Sequence, residues 1–391
     1  MTTWALPENL EDVLPADARK LERARRIAID TFASRGYELV VPPLIEYVES
    51  LLSGVGKDMD LATFKLVDQL SGRLLGVRAD TTPQVARIDA HVLNRSGVAR
   101  LCYAGSVLHT RPAGLGKSRQ PFQVGAELYG AGSLEADIEV QQLLLDTLAA
   151  IGVPALRLDV GHPSVFRALV DALDGALPTD ALMARREALF AAVVAKDRVA
   201  LEAALAEVPA AQRAYANALV ALPSLYGTDP AKVLALAEQQ LPALPAIQAA
   251  LEQLRQVATH FSASGVAVSI DLGELGGFNY ESGIVFAVFA RGAAEAVGRG
   301  GRYDDIGRAF GRARPATGFS MDLKALLALI EDAAEPAPVM APRSADPALA
   351  EAVAALRASG VSVINQLPGE TADALSQLEL IDGRWQVVTR T

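Results

Sequence analysis

Cysteine and histidine are scarce in this chain of 391 residues, which holds one cysteine, Cys102, and four histidines, His91, His109, His162 and His260. A lone thiol excludes an internal disulfide. The scattered histidines form no CxxC or HExxH spacing, so neither a structural zinc nor any other metal is expected. Uninterrupted apolar runs of about 18 residues are missing too, which argues against a membrane partner. The start, MTTWALPENLEDVLP, lacks the basic residues and apolar stretch of a secretion signal, so a cytoplasmic location is expected. Cations are outnumbered: 36 Lys and Arg face 46 Asp and Glu, a net charge of -10. Such a surface would repel a phosphate backbone unless basic residues were gathered on one face, and it ordinarily serves solubility.

What the chain does have is apolar mass. Hydrophobic residues make up 51% of it, enough for a sizeable core and more than one compact unit. From Asp17, the spacing of Leu21, Ala24, Ile27, Ala28 and Phe32 predicts an amphipathic helix that Gly36 stops. YELVVPP reads as a strand closed by a Pro-Pro break, and FKLVDQL with RLLGVRA as a hairpin around Ser71-Gly72. TTPQVARIDAHVL returns to helix. ARLCYAGSVLHT and SRQPFQVGAELYG flank the Pro/Gly-rich stretch Arg111 to Gly116 and predict a long hairpin. A helix over Leu134 to Ile151 and a strand at LRLDVG follow.

Residues 165–260 are rich in Ala, Leu and Glu and predict an all-helical insertion into a sheet-based unit. Strands resume at VAVSIDLG and GIVFAVFARG, and Gly-rich GRGGRYDD leads to an expected helix, MDLKALLALI. Adjacent hairpins with flanking helices predict an α+β class with a mainly antiparallel sheet. The main domain is expected over 1–330, a linker over 331–345 where EDAAEPAPVMAPRSADP buries little, and a small α/β appendage over 346–391. In that appendage Asp346-Pro347 starts a helix, Gly360 stops it, and VSVIN and WQVV are strand-like.

GLGKS at Gly114 to Ser118 superficially suggests a phosphate loop, but Arg111 stands where that pattern needs glycine, and strand-like QPFQVGAEL follows where it needs a helix. A hairpin turn is expected instead. GRGGRYDD lacks the spacing of a dinucleotide fingerprint and reads as close backbone packing, so no cofactor is expected. Gln123 and Glu127 share one strand face, and Asp80 and Thr82 open a helix. Taken singly, each is a cap or a solvated strand residue. Together their oxygens could surround an ammonium group, because buried carboxylates without a cation are costly.

The ordered segments of residues 1–330 resemble the class II aminoacyl-tRNA synthetases, specifically the histidyl type. GYELVVPPLIEY is similar to the dimer-forming first motif, RLCYAGSVLHTRPAGLGKSRQPFQVGAELYG to the second, and GRGGRYDDIGRAFGRARPATGFSMDLKAL to the glycine-rich strand and third motif. GGFNYESGIVF resembles the histidine-specific signature. The resemblance implies that Asp80, Thr82, Gln123 and Glu127 hold the histidine amino group, with Tyr280 and Tyr303 beside the imidazole. It also implies three missing cations: the second-motif arginine falls at His109, the histidine-specific arginine at Gly276 and the third-motif arginine at Ala325. Arginine forks stabilise the charge that grows on phosphorus during adenylation, and losing one such donor costs about 3 to 4 kcal/mol.

The tail departs as well, being shorter than the synthetases' anticodon-binding domain and without a basic cluster, so tRNA is not expected as a partner. A synthetase body without synthetase chemistry resembles the regulatory subunits of ATP phosphoribosyltransferase that accompany the short-form catalytic subunit. That resemblance implies a non-catalytic chain needed for the catalytic subunit's activity and for feedback inhibition by histidine in the first step of histidine biosynthesis. It also implies self-association through the synthetase-like dimer interface and a hetero-octamer of four regulatory and four catalytic chains. A divergent histidyl-tRNA synthetase and a stand-alone amino-acid-binding protein are the competing readings.

Overall fold

A computed structural model describes residues 4–53, 57–114, 116–174, 179–276, 281–332, 337–369 and 376–389. They divide into two units, Met1–Glu331 and Asp332–Thr391. In the first, the strands are β1 Glu38–Leu39, β2 Ile45–Tyr47, β3 Phe64–Val67, β4 Leu74–Val77, β5 Ala99–Ser106, β6 Phe122–Tyr129, β7 Arg157–Gly161, β8 Tyr226–Gly227, β9 Ala267–Asp271, β10 Val285–Phe289, β11 Gly298–Arg302 and β12 Ala316–Asp322. Among the described residues nine of them form one sheet in the order β1-β5-β6-β12-β11-β10-β7-β9-β8, and β2, β4 and β3 form a small second sheet. Only β1/β5 and β7/β9 pair in parallel in the large sheet, so the class is α+β and the sheet mainly antiparallel.

The helices of this unit are α1 Pro15–Ala33, α2 Val48–Leu51, α3 Lys57–Ala62, α4 Thr82–Arg87, α5 Leu134–Ile151, α6 Ser164–Asp174, α7 Thr179–Val194, α8 Arg198–Ala204, α9 Arg213–Ala221, α10 Pro230–Gln240, α11 Pro245–Ala263 and α12 Leu323–Leu326. The apolar stripe of α1 buries Ala24, Ala28 and Phe32, and Gly36 ends the turn after it at φ +80°. With α5, which Gly152 closes in the left-handed region, α1 covers one face of the large sheet; Phe32 meets Phe319 of β12 edge-on at 5.8 Å. Alternation along β5 sends Cys102 into that core and Leu101 and Tyr103 to the opposite face. There they join Val85, Ala86, Tyr129, Tyr303 and Ile306 in a second cluster. This second face carries the candidate site.

Three expectations need correction. The insertion at 165–260 is not all-helical, because Tyr226–Gly227 forms β8 and pairs antiparallel with β9 at the sheet edge. MDLKALLALI is not one helix: Met321 and Asp322 finish β12, where strand pairing with β6 claims their backbone, and only Leu323–Leu326 is helical. The stretch 331–345 is not simply a linker. It contains β13, Val339–Ala341, whose three residues are buried.

The second unit adds α13 Pro347–Ala358, β14 Val363–Asn365, β15 Ser376–Ile381 and β16 Arg384–Thr389 to β13. Its sheet order is β14-β13-β15-β16, with β13 parallel to both neighbours and β15/β16 an antiparallel hairpin. Val339, Ala341, Leu349, Val353, Val363 and Leu378 are its core. Asp346 caps α13 by accepting the Ala348 N–H at 3.0 Å and also accepts the Trp385 indole N–H at 2.7 Å. Gly360, at φ +85°, ends that helix.

Candidate functional site

Pairing in the large sheet lays out the floor of the site. Tyr103 of β5 stands opposite Gly125 of β6, Glu127 of β6 opposite Gly318 of β12, and Gly318 opposite Gly301 of β11. Directly paired residues on antiparallel strands point to the same face. A Cβ at Gly125 would run into the Tyr103 hydroxyl and the Phe319 carbonyl. At Gly318 it would overlap Glu127 Oε2 and lie 2.6 Å from the Tyr303 hydroxyl. The glycines therefore leave room for polar side chains to lie flat across the sheet, the usual meaning of glycine inside a strand.

Four residues read from the sequence as an ammonium-binding set meet here. Asp80 Oδ1 accepts the Thr82 N–H at 3.1 Å and the Gln123 Nε2–H at 2.7 Å. Gln123 Oε1 in turn accepts the Thr81 N–H at 2.9 Å, so both ends of this amide serve the protein, bracing the start of α4 against β6. Gln123 thus braces Asp80. Thr82 Oγ1 and the Tyr103 hydroxyl share a hydrogen bond of 3.2 Å. The Tyr303 hydroxyl donates to Glu127 Oε2. Tyr280 lies outside the described residues.

Glu127 is 1% exposed, and its Oε1 has no hydrogen-bond partner among the described residues. Burial first, and the Asp80 carboxylate second, push its carboxyl well above the ordinary range. The nearby Thr82 and Tyr103 hydroxyls offset part of that shift, although neither meets Oε1 in hydrogen-bond geometry. The Tyr103 phenol is likewise raised, by burial and then by Glu127. Among the described residues neither Asp80 nor Glu127 forms an ion pair, so an incoming ammonium group would supply the missing charge.

Sequence reasoning missed Glu281. It is 7% exposed, its Oε2 has no hydrogen-bond partner among the described residues, and its carboxyl is pushed up to about 9 by burial and then by Glu274. The Gly301 that faces it, inside a strand, was the available signal.

The three positions where the resemblance implies absent arginines are occupied as follows. His109 hydrogen-bonds the Ala79 carbonyl through Nε2 at 2.9 Å, which anchors its ring to the backbone one residue before Asp80. Gly276 donates its N–H to Glu274 Oε1 at 2.9 Å. Ala325 is exposed on α12. Between β5 and β6, Lys117 of the GLGKS stretch pairs with Glu295 at 3.0 Å and donates its backbone N–H to Gly114, a turn with no helix after it. Among the described residues no group of three or more His, Cys, Asp and Glu side chains could hold a metal, and no helix is long and apolar enough to cross a membrane.

This mainly antiparallel sheet flanked by helices is the fold of the histidyl-tRNA synthetases, whose family profile matches residues 9–326. A second profile, for the ATP phosphoribosyltransferase subunit HisZ C-terminal domain, matches residues 336–388. An ATP phosphoribosyltransferase regulatory subunit from Ralstonia nicotianae is 53% identical over 395 residues, covering 100% of this chain and 99% of its own. One from Burkholderia lata is 54% identical over 370 residues, 94% of this chain and 93% of its own. The crystal structure of an ATP phosphoribosyltransferase regulatory subunit/histidyl-tRNA synthetase from Bacillus halodurans superposes with a TM-score of 0.81 at 24% identity, covering 95% of each chain. Histidyl-tRNA synthetase from Nostoc gives 0.77 at 18% identity, over 100% of this chain and 97% of its own. The chain belongs to the family of ATP phosphoribosyltransferase regulatory subunits.

Proposed function

We propose that this chain binds the short-form catalytic subunit of ATP phosphoribosyltransferase, is required for its activity, and transmits feedback inhibition by histidine in the first step of histidine biosynthesis. Synthetase chemistry is lost. The observation that carries the reading is the buried Glu127 carboxyl, whose Oε1 has no partner among the described residues, kept beside Asp80 while His109, Gly276 and Ala325 stand where adenylation needs arginines. The acidic residues that would greet an amino group remain, and the cations that would grip a phosphate do not. Histidine held by Asp80, Thr82, Glu127 and Tyr303, with Gln123 bracing the set, regulates only if its affinity differs between two states of the complex, since equal binding would shift nothing.

The exposed apolar run Leu39, Val41, Leu44 and Ile45 supports self-association through the first-motif segment, within a cytoplasmic hetero-octamer of four regulatory and four catalytic chains. The net charge of -10 speaks against tRNA as a partner. The test is direct: mix the purified chain with a short-form catalytic subunit, ATP and phosphoribosyl pyrophosphate. Activity should rise on mixing and fall when histidine is added. Histidine-dependent ATP–pyrophosphate exchange by the chain alone would overturn the loss of synthetase chemistry.

A further inference from the structure

The second unit leaves one sheet edge open beside a groove. β14 ends the order β14-β13-β15-β16, so only one of its sides meets another strand among the described residues. In its parallel pairing with β13, the Ser362 carbonyl accepts the Val339 N–H at 2.9 Å, and the Gln366 N–H donates to the Ala341 carbonyl at 2.9 Å. Ser362, Ile364 and Gln366 therefore bond towards β13, and the backbone N–H and C=O groups of Val363 and Asn365 point out from the edge. The outward Val363 carbonyl accepts Arg357 Nη2, from the last turn of α13, at 2.9 Å. The Val363 N–H and both backbone groups of Asn365 are left to an incoming strand.

That arginine brings α13 alongside the free edge, where a groove of about 790 Å³ is lined by Asn365 and by one stripe of the helix, Leu349, Ala350, Val353 and Ala354. Arg343, just before the helix, and Arg357, in its last turn, add exposed cations at the two ends of this apolar wall. The helix has 12 residues, about 18 Å, which five or six residues of extended chain would span.

We propose that this edge and groove take up an extended, acidic segment of the catalytic subunit by strand addition. Its backbone pairs with Val363 and Asn365, alternate side chains enter the groove, and carboxylates meet Arg343 and Arg357. This rests on the reading of the chain as a subunit bound to that partner and names a place where the two meet. Three features choose the occupant. Outward backbone groups call for an extended chain, the apolar wall for apolar side chains at alternate positions, and the two arginines for carboxylates that the rest of a chain of net charge -10 would repel. The unit is also what the chain carries beyond the synthetase body: the synthetase profile ends at residue 326, and the profile described for the transferase subunit covers 336–388.

The test is hydrogen–deuterium exchange of the full chain with and without a short-form catalytic subunit, together with affinities for wild type, Asn365→Ala, Asn365→Pro and Arg343→Glu. The catalytic subunit should slow exchange at the Val363 and Asn365 amides. Asn365→Pro removes an outward N–H that the β13 ladder does not use, and should bind about tenfold more weakly, whereas Asn365→Ala keeps that donor and should bind like wild type. Arg343→Glu should also bind more weakly. Unchanged exchange at the Val339 and Ala341 amides shows that each variant keeps its sheet. A complex that forms without slowing Val363 and Asn365 overturns the assignment, as does Asn365→Pro binding like Asn365→Ala. Arg343→Glu binding like wild type overturns the acidic character of the segment. If the wild type binds no catalytic subunit at all, the functional reading falls and this proposal with it.

Discussion

The Glu127 carboxyl lies directly over Gly318, its residue partner on the neighbouring strand, in the space where any other residue would carry its Cβ. Gly318→Ala therefore forces the Tyr303–Glu127 pair off the sheet, and the Ala126 carbonyl, 2.7 Å from the new methyl, blocks a simple shift. Overpacking of this kind costs about 1 to 3 kcal/mol. The variant should melt several degrees below wild type and lose histidine binding, read by calorimetric melting and titration.

Glu127 also sets a pH dependence. Its carboxyl is raised in the folded chain above the ordinary 4.5, so its contribution to stability is fully present below that value and is lost as pH rises towards the folded value. Glu127→Gln fixes the neutral form at every pH and so removes the loss. Melting temperatures of wild type and variant should coincide near pH 4.5 and separate as pH rises, the variant being the more stable. An ammonium ligand reverses the balance by favouring the carboxylate. Histidine binding near neutral pH should therefore release a proton in wild type and none in Glu127→Gln, measured as a buffer-dependent binding enthalpy.

Arg302 of β11 is buried and holds Asp137 of α5 at 3.0 Å and Asp304 at 3.1 Å. Asp137→Asn leaves the guanidinium with a weaker partner away from water, and breaking a buried pair costs about 3 to 5 kcal/mol. The expected result is a urea midpoint well below wild type with an unchanged m-value. A loss under about 1 kcal/mol would mean that Asp304 alone suffices.

Val41 is 81% exposed within the segment that also exposes Leu39, Leu44 and Ile45. Val41→Asp places a charge there without touching the core, so the stability of a single chain should change by about 0.5 kcal/mol or less. Sedimentation equilibrium should show a self-associating wild type and a variant shifted towards one chain. Identical weights for the two would remove this segment as the contact.

Regular periodicity made much of the fold legible. α1 and α5 follow from apolar spacing, because each buries a face against the large core, and the β5/β6 hairpin follows from two apolar runs flanking turn residues. β13 escaped because prolines and alanines surround a run of three buried residues, too short for alternation to show. The helix expected over MDLKALLALI is shortened at its start because strand pairing with β6 claims Met321 and Asp322, and at its end because the chain turns after Leu326. At the site, Asp80, Thr82, Gln123 and Glu127 were legible as a set through the family resemblance, but their division of labour was not. Which oxygen an amide gives to its neighbour depends on register between distant segments, as with Gln123 and Thr81. Glu281 stayed hidden because its partner, Gly301, speaks only through the side chain it lacks.

The Gln123 amide has a last consequence. With one end taken by Thr81 and the other by Asp80, neither Gln123 nor Asp80 has rotamers left to search when a ligand arrives. Freezing a mobile side chain on binding costs about 0.5 to 1.5 kcal/mol, and here folding has already met that cost. An amino acid taken up by the proposed site would thus meet oxygens already in place, so that more of its binding energy could go into discrimination.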